Sequence, residues 1–81
     1  MNPQIIWHKN ARKTLRSLPQ DVQRRIVIAV ERLPHGDVKP LHGKYKGFYR
    51  LRVGKYRIIF QKISENLIIV FEILPRGQAY R

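Results

Sequence analysis

The sequence predicts an α+β domain: an antiparallel sheet with a helical hairpin packed on one face, in the order β-α-α-β-β-β. Three observations predict it. Residues 49–60 alternate apolar and polar on both sides of a Gly54-Lys55 dipeptide, the pattern of a β-hairpin with a two-residue turn. Val22, Ile26, Ala29, Val30 and Leu33 recur at helical spacing, so one helix face is apolar. Leu67 to Leu74 is a nearly continuous apolar run, long enough for a strong closing strand. At 81 residues, one domain spanning 1–81 is expected.

The elements follow in order. Pro3 to Trp7 reads as a short opening strand, placed at an edge by Pro3. Asn10 is the expected cap of a first helix carrying Ala11, Leu15 and Leu18 on one side. Pro19 ends it and suits the start of the second helix, where Asp21 sits in the first turn and favours the helix dipole. Leu33-Pro34-His35-Gly36-Asp37 is a stop signal, and residues 38–47 read as an irregular basic loop. In the hairpin, Val53 is expected opposite Tyr56, Arg52 opposite Arg57, Leu51 opposite Ile58 and Tyr49 opposite Phe60. With Glu65-Asn66 as the next turn, Phe60 faces Phe71, Ile59 faces Glu72 and Ile58 faces Ile73; a three-residue loop would flip that strand. Leu51, Ile58, Phe60 and Phe71 are therefore expected in the core.

The opposite face of the hairpin gathers Arg50, Arg52 and Arg57, with Glu72 expected to join them as a counter-charge to Arg57. Like charges directly across a strand pair are destabilising, so stability does not call for Arg52 opposite Arg57. Holding an anion is the simplest use of such a face. Composition agrees: 17 Lys and Arg against 5 Asp and Glu give +12, the footprint of a nucleic-acid partner. Lys39, Lys44, Lys46, Arg50, Arg52, Lys55 and Arg57 fall within nineteen residues that hold no acid. A merely solvated basic surface is the plainer alternative. The basic residues do not line one helix opposite a broad apolar face, which argues against a membrane-surface role. No apolar run is long enough to span a bilayer, and no cysteine is present, so a cytoplasmic protein without a membrane partner is expected.

The block Tyr-Arg-Leu-Arg-Val-Gly-Lys-Tyr-Arg-Ile-Ile-Phe, the preceding Leu41-His42-Gly43 and the terminal Arg76-Gly77-Gln78-Ala79-Tyr80-Arg81 together resemble the RelE branch of the RelE/ParE superfamily of type II toxins. The resemblance covers nearly the whole chain. It implies a RelE-like microbial ribonuclease-type fold and a ribosome-dependent mRNA endonuclease that inhibits translation by cutting in the decoding site. It also implies a smaller RelB-like antitoxin, here expected to be acidic, that wraps the toxin into a hetero-oligomer. By position, Arg50 and Arg52 fall on the family's mRNA-binding strand and Arg57 on its arginine after the turn. Arg76 falls on an arginine after the last strand, and Tyr80 on the C-terminal tyrosine. This chain departs in having arginine at positions 50 and 52, where some relatives have lysine; lysine can transfer a proton and arginine effectively cannot.

The residues themselves support metal-free and cofactor-free RNA cleavage by the substrate's own 2′-hydroxyl. There is no paired carboxylate, no metal-ligand spacing and no Ser-His-Asp arrangement, and His8, His35 and His42 are scattered. Arg57, Arg76 and Tyr80 are the catalytic candidates, the arginines gripping the scissile phosphate and Tyr80 stacking on a base or accepting the 2′-hydroxyl proton. Lys44, Lys46, Arg50, Arg52 and Lys55 are the RNA-binding candidates. Against these stand packing for Tyr80, ion pairs with Glu72 or the antitoxin for Arg57 and Arg76, and a two-histidine ribonuclease using His42. Two other functions stay open: a ParE-like toxin that inhibits a DNA gyrase, and a noncatalytic RNA- or ribosome-binding module.

Overall fold

The hairpin is the spine of the sheet. Strand β3, Tyr49–Val53, and strand β4, Tyr56–Ser64, pair antiparallel with Tyr49 opposite Phe60, Leu51 opposite Ile58, Arg52 opposite Arg57 and Val53 opposite Tyr56, the register expected from the alternation. Gly54 takes φ +58° while Lys55 stays at negative φ, so glycine occupies the position of the two-residue turn where a Cβ would be strained. The coordinates are a computed structural model and describe residues 3–75.

Around the hairpin the order is β1 (Gln4–Trp7), α1 (Lys9–Ser17), α2 (Gln20–Glu31), β2 (Val38–Pro40), a 3₁₀ turn (Gly43–Tyr45), β3, β4 and β5 (Leu67–Pro75). The five strands lie side by side as β1-β5-β4-β3-β2. All neighbours are antiparallel except β1 and β5, which run parallel. The helical crossover between β1 and the rest of the sheet allows that parallel pairing. One strand was not expected: β2 lies inside the segment read as an irregular loop. Three residues with one proline and one lysine carry no alternation to detect, and such short, basic edge strands resist pairing with other chains.

The helices cover one face. Ile26 and Val30 of α2 and Ala11 of α1 are fully buried, and Leu33 nearly so, against Leu51, Ile58, Phe60, Ile68, Val70 and Ile73 of the sheet. Val22 and Ala29 pack at the margin of this core. The apolar stripe of α2 thus buries as expected. Between the helices, the Gln23 side-chain amide donates to the Leu18 carbonyl at 2.7 Å, satisfying a group the end of α1 leaves open. At the start of α1 the capping side chain is His8 and not Asn10: the Asn10 backbone N–H donates to His8 Nδ1 at 3.2 Å. Asn10 lies one residue inside the helix, so its own side chain cannot cap. After α2, Gly36 stands at φ +118°, and a Cβ there would come within 3.0 Å of Leu51 Cδ1.

The β4–β5 pairing holds the main departure from the expected register. Ser64 opposes Leu67 across the Glu65-Asn66 turn, but Lys62 opposes Ile68, so Ile63 bulges out of β4. Further on, Phe60 opposes Val70 while Ile59 opposes Glu72, so Phe71 bulges out of β5. One extra residue on each strand cancels the other, which is why Ile59–Glu72 and Ile58–Ile73 pair as expected and Phe60–Phe71 do not. Phe71 is consequently not a core residue. The bulge turns it to the same side as Glu72, away from the helices, where it meets His8 and Phe48.

Candidate nucleic-acid interface

On β3 and the first half of β4 the face turned away from the helices is built by strict alternation. With Leu51 and Val53 committed to the core, Arg50 and Arg52 must point outward, and Arg57 and Ile59 follow from Ile58 on β4. The pairings then set rows across the sheet: Lys39, Arg50, Ile59 and Glu72 in one, Arg52, Arg57 and Leu74 in the next. Two like-charged pairs, Lys39–Arg50 and Arg52–Arg57, thus sit directly across from each other.

The cations of this face are not equivalent. Arg50 is held down. Its Nη1 donates to the Asp37 carbonyl at 3.1 Å and lies 3.3 Å from Asp37 Oδ1, with only 12% of its side chain exposed. The same Asp37 carbonyl accepts the Arg52 backbone N–H at 3.0 Å. Asp37 therefore clasps the segment after α2 to β3 and fixes the Arg50 guanidinium as a stationary charge. Arg52 is exposed and Arg57 half-buried. The ion pairs among the described residues are Asp37–Arg50 and Asp21–Arg25, the latter on the surface of α2. Glu72 lies on the basic face as expected, but neither pair joins it to Arg57.

Lys44 and Lys46 are exposed on the loop that crosses this face, the Lys44 Nζ lying 5.6 Å from the centroid of the Tyr45 ring. The loop is anchored where the Leu41 N–H donates to the Phe48 carbonyl at 2.9 Å. Lys55 stands apart at the hairpin tip, beside Tyr56, Val22 and Arg25. Arg76 and Tyr80, two of the three catalytic candidates, lie outside the described residues. His42 lines a shallow basic hollow with Lys39 and Arg50 at the β2 edge, while His35 is exposed after α2.

One further group of residues on this face has almost no signal in the sequence. His8, Phe48, Ile59, Phe71 and Glu72, with Lys44 at the rim, surround an open pocket of about 350 Å³ beside the arginines. His8 stacks on Phe71 with ring centroids 5.6 Å apart, and Phe48 meets Phe71 edge-on at 5.1 Å. Only the outward position of Ile59 signalled it, since an isoleucine there requires a cover.

Known proteins place this architecture. The sequence matches, over residues 5–80, the family described as the ParE toxin of type II toxin–antitoxin systems. Toxin RelE3 of Methanocaldococcus jannaschii is 29% identical over 84 residues, covering 94% of this chain and 93% of that protein. The toxin–antitoxin complex RelBE2 of Mycobacterium tuberculosis has the same fold, with a TM-score of 0.80 at 21% identity over 94% of this chain and 100% of the matched chain. The archaeal RelE–RelB complex of Pyrococcus horikoshii superposes with a TM-score of 0.74 at 32% identity, over 98% of this chain and 100% of the matched one. The helical hairpin, the sheet order and the sequence match over nearly the full length agree: this chain belongs to the RelE/ParE family of type II toxins.

Proposed function

We propose that this toxin is a ribosome-dependent mRNA endonuclease that cleaves by attack of the substrate's own 2′-hydroxyl. The observation that carries the reading is the placing of Arg52 directly opposite Arg57 on the face free of helices, beside the fixed charge of Arg50. A sheet selected for stability alone would not keep that pair. An RNA phosphate between the two guanidiniums relieves their repulsion and gains charge-assisted hydrogen bonds.

In this mechanism the 2′-oxygen forms a bond to phosphorus as the bond to the 5′-oxygen breaks, giving a 2′,3′-cyclic phosphate and a 5′-hydroxyl. One proton leaves the 2′-hydroxyl and one reaches the departing oxygen. Arg57 and Arg76 stabilise the charge that builds on the phosphate, and Arg52 and the immobilised Arg50 hold the strand in register. Lys44, Lys46 and Lys55 add diffuse attraction to neighbouring phosphates. Tyr80 orients or deprotonates the 2′-hydroxyl. The chain carries little acid–base equipment beyond that phenol, so a partner that orients the mRNA has much to contribute, and a ribosome holding mRNA in its decoding site does so. An acidic RelB-like antitoxin is the proposed repressor, supported by the antitoxin-bound state of the archaeal and mycobacterial relatives and by the surplus of +12.

Mapping mRNA 5′ ends in a purified translation reaction tests this. Cuts within codons that need both ribosomes and toxin, and that vanish with Arg57→Ala, are expected. Intact mRNA there, together with damaged DNA in cells expressing the toxin, would refute the reading in favour of a gyrase inhibitor. RNA binding without cleavage would reduce the toxin to a binding module.

A further inference from the structure

We infer that the aromatic pocket beside the arginines is a nucleobase subsite and that Glu72 selects guanine in it. The inference takes its substrate class, RNA, from the reading above. Its floor is Ile59, 4% exposed although it lies on the outward face. Its walls are Phe71, Phe48 and the His8 ring, whose orientation is fixed because Nδ1 accepts the N–H that starts α1. A volume of about 350 Å³ falls in the range of small-ligand pockets, ~300–1,000 Å³. Flat aromatic walls beside a basic groove are how proteins take unstacked bases from single-stranded RNA.

Charge singles out Glu72. It is one of five acids in the chain and lies among cations without an ion pair among the described residues. A carboxylate on such a face weakens phosphate binding, so its presence asks for a partner with N–H donors. An ionised carboxylate only accepts hydrogen bonds. Guanine alone presents two adjacent donors, N1–H and the 2-amino group, matching both carboxylate oxygens. Adenine and cytosine offer one amino group beside a ring nitrogen that repels the carboxylate, and uracil offers one N–H between two carbonyls. Register adds proximity. Glu72 lies in the same row as Arg50, two strands away across Ile59, or roughly 10 Å at the usual strand spacing. A strand with phosphates on the arginines can therefore lower a neighbouring base into the pocket. A protein occupant is less well matched, because the rim pairs a lone carboxylate with Lys44 in place of a continuous apolar border.

The test measures binding of labelled tetranucleotides UUGU, UUAU, UUCU and UUUU to the antitoxin-free full chain by fluorescence anisotropy at fixed salt, without ribosomes. UUGU should bind about 5- to 100-fold more tightly than the others. Glu72→Gln, a surface substitution that keeps the shape, should abolish that preference and leave UUUU affinity equal or higher. In parallel, titration with guanosine monophosphate should shift the NMR signals of Phe48, Phe71 and Ile59. Equal affinities for all four RNAs, or a guanine preference that survives Glu72→Gln, would overturn the inference, as would shifts in these signals produced only by antitoxin. On ribosomes, a codon-base preference that changes in Glu72→Gln supports the subsite. Unchanged cut sites count against the subsite while leaving the endonuclease reading intact, whereas absence of all cutting strikes the endonuclease reading alone.

Discussion

Removing one arginine from the cross-strand pair should make this toxin more stable and less active at once. Arg52 is the better choice, being exposed on β3 directly opposite Arg57. Two unit charges about 6 Å apart repel by roughly 0.7 kcal/mol in fully screening water, and measured like-charge cross-strand effects fall at ~0.2–1 kcal/mol. Arg52→Thr keeps a side chain suited to a strand and should raise unfolding free energy by that ~0.2–1 kcal/mol, or about 1–8 °C in Tm for a domain of this size. Urea unfolding at low salt and at 1 M salt is the assay. The gain should shrink at 1 M, where the screening length falls to ~3 Å. Lys62→Thr is the control: it also takes the net charge from +12 to +11, but Lys62 faces Ile68 and not a cation. If Arg52→Thr is destabilising at low salt, or if Lys62→Thr stabilises equally, the pair stores no specific repulsion. The arginine pair is then no sign of an anion site.

Ile26→Ala should cost about 2–5 kcal/mol in chemical unfolding, because the side chain is fully buried beneath the sheet; a loss under ~0.5 kcal/mol would contradict the packing. Asp37→Ala removes the carboxylate but keeps the backbone carbonyl that also accepts from Arg50, so it should cost about 1 kcal/mol or less, Asp37 being half exposed, and should weaken mRNA positioning more than it slows saturated cleavage; unchanged apparent affinity would show that the carbonyl alone holds Arg50 in place. Tyr80→Phe should slow single-turnover cleavage on ribosomes by roughly 10²–10⁴-fold if the hydroxyl handles a proton; little change would leave the ring a stacking role only.

Much of the fold was legible because the signals were local and repeated. In 49–60, each residue's face follows from its neighbour's, and one glycine at the turn fixes the register, so every pairing across β3 and β4 followed. The stripe of α2 was legible for the same reason at a different period. His8 takes the place of Asn10 as the cap because the helix begins at Lys9, and two polar residues this close in sequence give no local signal for which of them precedes the first turn. Strand β2 was invisible because its pairing depends on β3 as a template and on the Asp37 clasp, both tertiary. The parallel partner of β1 likewise depends on where the helical crossover returns the chain.

The candidate site divides along the same line. Charges on alternating positions announced Arg50, Arg52 and Arg57, since alternation alone decides that they share a face. The aromatic pocket did not show, because it depends on a bulge at Phe71 that no residue near it advertises. The two bulges of the β4–β5 pair give that hidden feature a physical reason. Had the register run unbroken, Phe71 would have opposed Phe60 in the core, and the outward face would have held Glu72 beside an uncovered Ile59. Displacing Ile63 near the turn shifts the ladder by one residue, and displacing Phe71 shifts it back before Arg57 is reached. Val70 then fills the core position, fully buried, and Phe71 is released to join His8 and Phe48 over Ile59. The arginine row keeps its alignment while the row beside it acquires an aromatic wall. Deleting Ile63 alone would remove only one of the two shifts, leaving the bulge at Phe71 to misalign either Phe60 or the row of Ile59 and Glu72.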